Sequence, residues 1–154
     1  MTTPEEPLPP KWSLAGERVT GKLVRVYDGD TFTLILPVCC KQFQFSCRLS
    51  GIDTPELRTK NPIEKVAGYR ARDWVRDLLD KRPFEVVCHG GDKYGRVLCD
   101  IVFPPTSEND EEESLADLLI NNGMAYRYEG ATKQRFEDWY VQPDSTLDST
   151  PPTM

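Results

Sequence analysis

Histidine is nearly missing from this 154-residue chain, where His89 is the only one. That excludes HExxH zinc sites, paired-histidine phosphotransfer and any mechanism pairing a histidine acid with a histidine base. No apolar run approaches the roughly eighteen residues of a membrane span, so a membrane partner is not expected. Cysteine occurs five times, at Cys39, Cys40, Cys47, Cys88 and Cys99, an odd number with no CxxC spacing. Structural thiols in a reducing compartment are therefore expected, ahead of a disulfide or metal role. The leading MTTPEEPLPPKWSL is acidic and proline-rich and has no apolar h-region, so an intracellular protein without a secretory signal is expected.

Basic charge is short overall, with 19 Lys/Arg against 25 Asp/Glu for a net of -6. An average of that sign argues against a nucleic-acid partner, but the distribution does not. Residues 11–103 carry 16 basic and 12 acidic side chains, a net of +4, while the remainder carries 3 and 13, a net of -10. The acid lies at the chain ends and in PPTSENDEEE, residues 104–113, which reads as a solvated loop at a helix N-terminus. With 38% hydrophobic and 10% aromatic residues, what remains suffices for one folded domain. We expect a disordered arm over 1–11, a domain over 12–140 and a disordered tail over 141–154.

The domain reads as alternating strands. Val19–Tyr27 and Thr31–Leu36 flank Asp28-Gly29, a strong hairpin signal. Gln42–Ser50 sets Phe43, Phe45, Cys47 and Leu49 on one face and Gln44, Ser46, Arg48 and Ser50 on the other, which mounts Arg48 rigidly away from the core. Asn61-Pro62-Ile63-Glu64 reads as an N-cap, a first-turn proline and a capping glutamate, opening a helix that stops before Pro83. Phe84–His89 and Arg96–Val102 are two further strands, with His89 on the outward face as a partly exposed structural residue. Ser114 and Asp117 cap a short helix over Leu115–Asn122, and a final amphipathic stretch, Thr132–Tyr140, offers Phe136 and Trp139 to the body. Five strands and about three helices in that order predict a β-dominated α+β fold, a small closed Greek-key barrel of OB type capped by helices.

Three polar segments carry candidate chemistry: Tyr27-Asp28-Gly29-Asp30-Thr31, Arg48 through Glu56, and Asp92-Lys93-Tyr94-Gly95-Arg96. Singly each is an ordinary turn. Together they are complementary. Asp30 and Asp53 are hard oxygen donors, and with a backbone carbonyl beside Pro55 they fill part of a Ca²⁺ shell of roughly 6–8 oxygens. Glu56, three residues beyond Asp53, suits a general base, and Arg48 and Arg96 suit a phosphate accumulating charge.

The segments VYDGDT, RLSGIDTPE and DKYGR, with the helix between the last two, resemble the staphylococcal nuclease (thermonuclease) family from about Val19 to Tyr128. The resemblance implies an OB-type barrel hydrolysing DNA and RNA with Ca²⁺ rather than Mg²⁺ or Mn²⁺, single strands preferred, and a monomer. It further implies Asp30, Asp53 and the Thr54 carbonyl as metal ligands, with Asp28 acting through water. Glu56 would be the general base, with Arg48 and Arg96 binding phosphate. Lys93 and Tyr94 would line the nucleotide pocket, with Tyr126 and Tyr128 as candidates for the tyrosines after the second helix. The 5′ oxygen would leave, giving 3′-phosphorylated products. Well-known members of that family are secreted and strongly basic, and this chain is neither by sequence. The alternative is a catalytically inactive module that binds single-stranded nucleic acid or a protein partner; a pure binder has no evident need of Asp30, Arg48, Asp53, Glu56 and Arg96 together.

Overall fold

The computed structural model describes residues 7–9, 12–107, 110–130 and 132–142. Apart from residues 7–9 and 141–142, the arms expected at 1–11 and 141–154 lie outside the described residues.

The run expected as one opening strand is two, β1 (Arg18–Thr20) and β2 (Lys22–Asp28), separated by Gly21. It is followed by β3 (Thr31–Val38), β4 (Lys41–Leu49) and the two-residue β5 (Ile52–Asp53). Helix α1 (Pro62–Lys81) precedes β6 (Glu85–Gly91) and β7 (Val97–Phe103). The chain continues through β8 (Glu113–Ser114), α2 (Leu115–Asn121), β9 (Tyr126–Arg127) and α3 (Phe136–Trp139). The main sheet runs β1-β6-β7-β4-β3-β2, with β8 on β7; β5 and β9 form a separate pair. The two ends of that path, β1 and β2, are joined through Gly21, so the sheet curls with the chain itself at its seam. This one bent run pairs with β6 through β1 and with β3 through β2, which gives the OB-like roll expected.

Alternation builds the core. Phe32, Leu34 and Leu36 of β3, Cys47 and Leu49 of β4, Val86 and Cys88 of β6, and Cys99, Ile101 and Phe103 of β7 are all buried. Each large apolar side chain removed from water in this way contributes roughly 1.5–3 kcal/mol. Phe43, expected on that inner face, is instead 49% exposed. The reason is geometric: β7 pairs with β4 only over Cys47–Leu49, and β2 with β3 no further than Lys22 opposite Ile35, so the β3–β4 hairpin projects past the roll. The same projection tolerates Pro37 within β3, because no β2 neighbour needs its missing N–H. Cys39 and Cys40 form the two-residue tip, both at positive φ (50° and 67°).

Helix α1 is capped as the sequence predicts: the Asn61 side chain accepts from the N–H groups of Ile63 and Glu64, and Pro62 opens the helix. Ala67, Ala71, Val75 and Leu79 recur at helical spacing and are buried. Phe136 of α3 is buried too, and Tyr126 packs on Trp139 with ring centroids 4.9 Å apart. His89, on the outward face of β6, contacts Asp100 across the sheet at 2.8 Å. Acid expected to be merely solvated is partly tied down: Glu112 pairs with Arg18 at 2.9 Å and Glu113 with Arg82 at 3.0 Å.

Candidate active site

The β2–β3 turn presents Asp28 and Asp30. The Asp30 N–H donates to Asp28 Oδ1 at 3.2 Å, and the Asp30 carbonyl accepts from Leu49 N at 2.8 Å, which pins the turn to the end of β4. Between the two acids, Gly29 rests on Thr54 and α1. A Cβ there would stand 2.9 Å from Thr54 Cγ2 and 3.1 Å from Ala71 Cβ, so glycine permits the approach that sets the first polar segment against the second.

Arg48 joins those segments. Its Nη2 is 3.4 Å from Asp30 Oδ2 and 3.5 Å from Asp53 Oδ1, and it also donates to the Ile52 carbonyl at 3.3 Å. Thr31 Oγ1 donates to the other Asp30 oxygen at 3.0 Å. Burial, and next the neighbouring Asp28 charge, hold Asp30 well above the ordinary carboxylate range, against the pull of Arg48. Thr54 is buried beside them.

Asp53 pairs across β5–β9 with Tyr126, whose hydroxyl donates to Asp53 Oδ2 at 3.1 Å and accepts from Gln134 N at 3.1 Å. Burial, with the Asp53 charge adding to it, raises the Tyr126 phenol above its usual value despite the Gln134 N–H. Tyr126 is therefore a buried strut, which does not suit the nucleotide-lining role the resemblance implied. Sequence reasoning missed Lys133, whose Nζ lies 3.3 Å from Glu56 Oε1 and 3.5 Å from Asp53 Oδ1. Burial lowers that ammonium's affinity for its proton, but Asp53 and Glu56 outweigh it and hold Lys133 above its usual value. Its only signal was a lone lysine in an acidic C-terminal stretch.

Glu56 is half exposed, and its backbone is fixed from two sides. Glu64, expected to cap its own helix, instead accepts from Glu56 N at 3.4 Å and from Thr59 Oγ1 at 2.7 Å. The cap N–H of Asn61 is taken by Thr59 Oγ1 instead. Gly68 of α1 lies under the same loop. A Cβ there would meet Leu57 Cδ2 at 2.8 Å, Glu56 O at 3.1 Å and Pro55 O at 3.2 Å.

Arg96 immediately precedes β7, the strand next to Arg48. Leu98 pairs with Arg48 in the parallel β4–β7 register, and Arg96 lies two residues earlier on the same outer face. No described contact joins it to Asp30, Arg48 or Asp53. It is bound to Asp92 instead, Nε to Oδ2 at 2.7 Å, and Asp92 Oδ1 also accepts the N–H groups of Tyr94 and Arg96 at 2.9 Å each. These bonds outweigh partial burial and lower the Asp92 pKa. Tyr94 is 70% exposed, with Lys93 Nζ 5.2 Å and Arg96 Cζ 5.3 Å from its ring centroid.

Among the described residues, no group of three or more His, Cys, Asp or Glu side chains is arranged to hold a metal ion by protein side chains alone. The donor set still suits a hard cation. Asp28, Asp30, Asp53 and Glu56 outnumber Arg48 and Lys133, the donors are oxygens, and burial disfavours the Asp30 negative charge.

Two acids gathered on one arginine at the edge of an OB-like roll define the class: a small β-roll protein with a polar, carboxylate-rich site. A family profile described as "Staphylococcal nuclease homologue" matches residues 46–142, more than half the chain, and the chain belongs to that family. It is 30% identical over 115 residues to a "Micrococcal nuclease" of Shigella flexneri, an overlap covering 71% of this chain and 60% of that protein. It is 27% identical over 96 residues to a "Probable endonuclease lcl3" of Schizosaccharomyces japonicus, covering 62% of this chain and 41% of the relative. The chain thus spans less than two thirds of either relative. Among the described residues, no helix is long and apolar enough to cross a membrane.

Proposed function

We propose that the chain is a Ca²⁺-dependent nuclease that hydrolyses phosphodiester bonds of DNA and RNA. The observation that carries this reading is the shared position of Arg48 Nη2 against Asp30 and Asp53, with Asp53 linked through Lys133 to Glu56. Asp30, Asp53 and the Thr54 carbonyl are the residues that would hold the cation, which when bound supplies positive charge beside a phosphate oxygen. Mg²⁺ demands a more regular shell than two carboxylates and a carbonyl set up, so Ca²⁺ is the better match.

Glu56 is the base. Its exposed carboxylate takes a proton from water as the water oxygen bonds to phosphorus. The bond to the 5′ oxygen opposite breaks, that oxygen takes a proton from solvent to become a 5′-hydroxyl, and a 3′-phosphate remains. Arg48 and Arg96 neutralise charge on the equatorial oxygens, which requires Arg96 to exchange Asp92 for phosphate. Lys133 leaves Glu56 as substrate enters, freeing the base. Lys93 and Tyr94 receive the neighbouring nucleotide, and the exposed Tyr94 ring favours single strands acted on by a monomer. Release of acid-soluble nucleotides from denatured DNA, with Ca²⁺ and then with chelator, tests the reading. Ca²⁺-dependent release is expected; retention of single strands without release would instead identify a binding module.

A further inference from the structure

On the outer face of β2, Arg25 and Tyr27, neither given a role above, form a compact pair. Arg25 Nη2 donates to the Tyr27 hydroxyl at 2.8 Å, and its guanidinium carbon lies 4.8 Å from the ring centroid. Tyr27 is 48% exposed. Most other arginines of the roll are committed to carboxylates, among them Arg18, Arg48, Arg82 and Arg96. Among the described residues, Arg25 has no carboxylate within ion-pair distance, so its charge is available to a ligand.

Register fixes where this pair stands. Arg25 pairs with Thr33, and Thr33 with Ser46; beside that row, Asp28 pairs with Thr31, and Thr31 with Arg48. Arg25 is thus two strands and two residues from Arg48 on one continuous face, about 12 Å at the usual strand spacing and rise. The surface between them is floored by the Thr31, Thr33 and Ser46 hydroxyl positions. Tyr94 and Arg96 bound the opposite side of the face with the same chemistry, an exposed tyrosine beside an arginine.

We propose that Arg25 and Tyr27 are a remote nucleic-acid subsite, with the guanidinium taking a backbone phosphate and the ring stacking on a base of a single strand held at Arg48. The inference rests on the proposed function and assigns that activity a preference for longer strands. A strand covering that gap, together with the nucleotides received at Arg48 and at Tyr94, stays within the roughly 4–16 nucleotides that an OB fold accommodates.

The test uses the full chain in a Glu56→Gln background with Ca²⁺ and fluorescein-labelled oligothymidylates of two and twelve nucleotides, read by anisotropy. The twelve-mer is expected to bind more tightly than the two-mer, which is too short to reach from Arg48 to Arg25. Tyr27→Ala and Arg25→Gln are each expected to weaken the twelve-mer about 5–100-fold, the range of a lost base stack, while leaving the two-mer unchanged. Arg25→Gln should also reduce the salt slope by about 0.7, one single-strand phosphate contact, and Tyr27→Phe should bind like the parent. Equal binding of the twelve-mer by parent and both variants, the result of a surface serving a protein partner, overturns the proposal. Equal weakening of both oligomers overturns it too. Failure of the nuclease reading shows separately, as absent nucleotide release by the otherwise unsubstituted chain.

Discussion

Asp53 and Tyr126 face each other across the β5–β9 pair, the tyrosine hydroxyl 3.1 Å from the carboxylate. A two-residue strand pair is too short to hold itself together by its ladder. Its rigidity comes from this side-chain bond and from the Gln134 N–H that completes the hydroxyl's hydrogen bonding. The segment that carries Lys133 is thereby fastened to the residue it partly neutralises.

Tyr126→Phe removes that bond and leaves Gln134 N without its acceptor. We expect a loss of about 1–2 kcal/mol of stability, measured by urea unfolding, together with reduced nuclease activity. Unchanged stability would show that the hydroxyl is not a strut.

Glu56→Gln keeps size and hydrogen bonding and removes the proposed base. Turnover should fall by about 10²–10⁴-fold while oligonucleotide affinity stays within about threefold, because abstraction of a proton occurs only on the way to the transition state. Parallel loss of affinity and rate would count against Glu56 as base.

Gly68→Ala should run against the usual helix preference. In an open helix alanine gains about 1 kcal/mol over glycine, but here the added carbon meets two carbonyl oxygens of the Glu56 loop. We expect a net loss of about 1–3 kcal/mol and a fall of about 10–10²-fold in kcat/KM from the displaced base. A stabilised, fully active variant would contradict the packing.

Cys39→Asn with Cys40→Gly should stabilise the protein by about 1–2 kcal/mol, since both positions have positive φ and Asn-Gly is the favoured pair for such a tip. Thermal unfolding measures it. Site activity should not change.

Asp92→Asn tests the acid limb. The folded Asp92 carboxylate is held below its ordinary value of 3.8, so its contribution is present above that value. It is lost as the pH falls through 3.8 and then through the lower folded value. The stability gap between parent and variant should be constant near neutrality and narrow below about pH 4. A gap independent of pH would show that the charge contributes nothing.

Much of this molecule was legible because local chemistry and tertiary structure agree. Asn61 caps its helix through its own side chain, a local interaction, and the alternation through Phe32 and Leu34 survives because both neighbouring strands are present there. Phe43 follows the same pattern yet is exposed, since alternation names a face and cannot say where the sheet beneath it ends. Glu64 fits the capping pattern but is drawn away by a loop packed against the helix, and sequence spacing does not reveal that competitor. Tyr126 was singled out, but its burial depends on Trp139 and Gln134, which meet it only after the chain folds back. Lys133 was invisible for the same reason: its partners lie 77 and 80 residues earlier.

The ion pairs of Glu112 with Arg18 and Glu113 with Arg82 sit where β7 ends, about 17 Å along that strand from Leu98 beside Arg48. There two acids of the late loop are offset by cations of the roll, so they add little negative potential to the face that carries Arg25 and Arg48. The total charge of the chain therefore overstates the repulsion an anion would meet on that face.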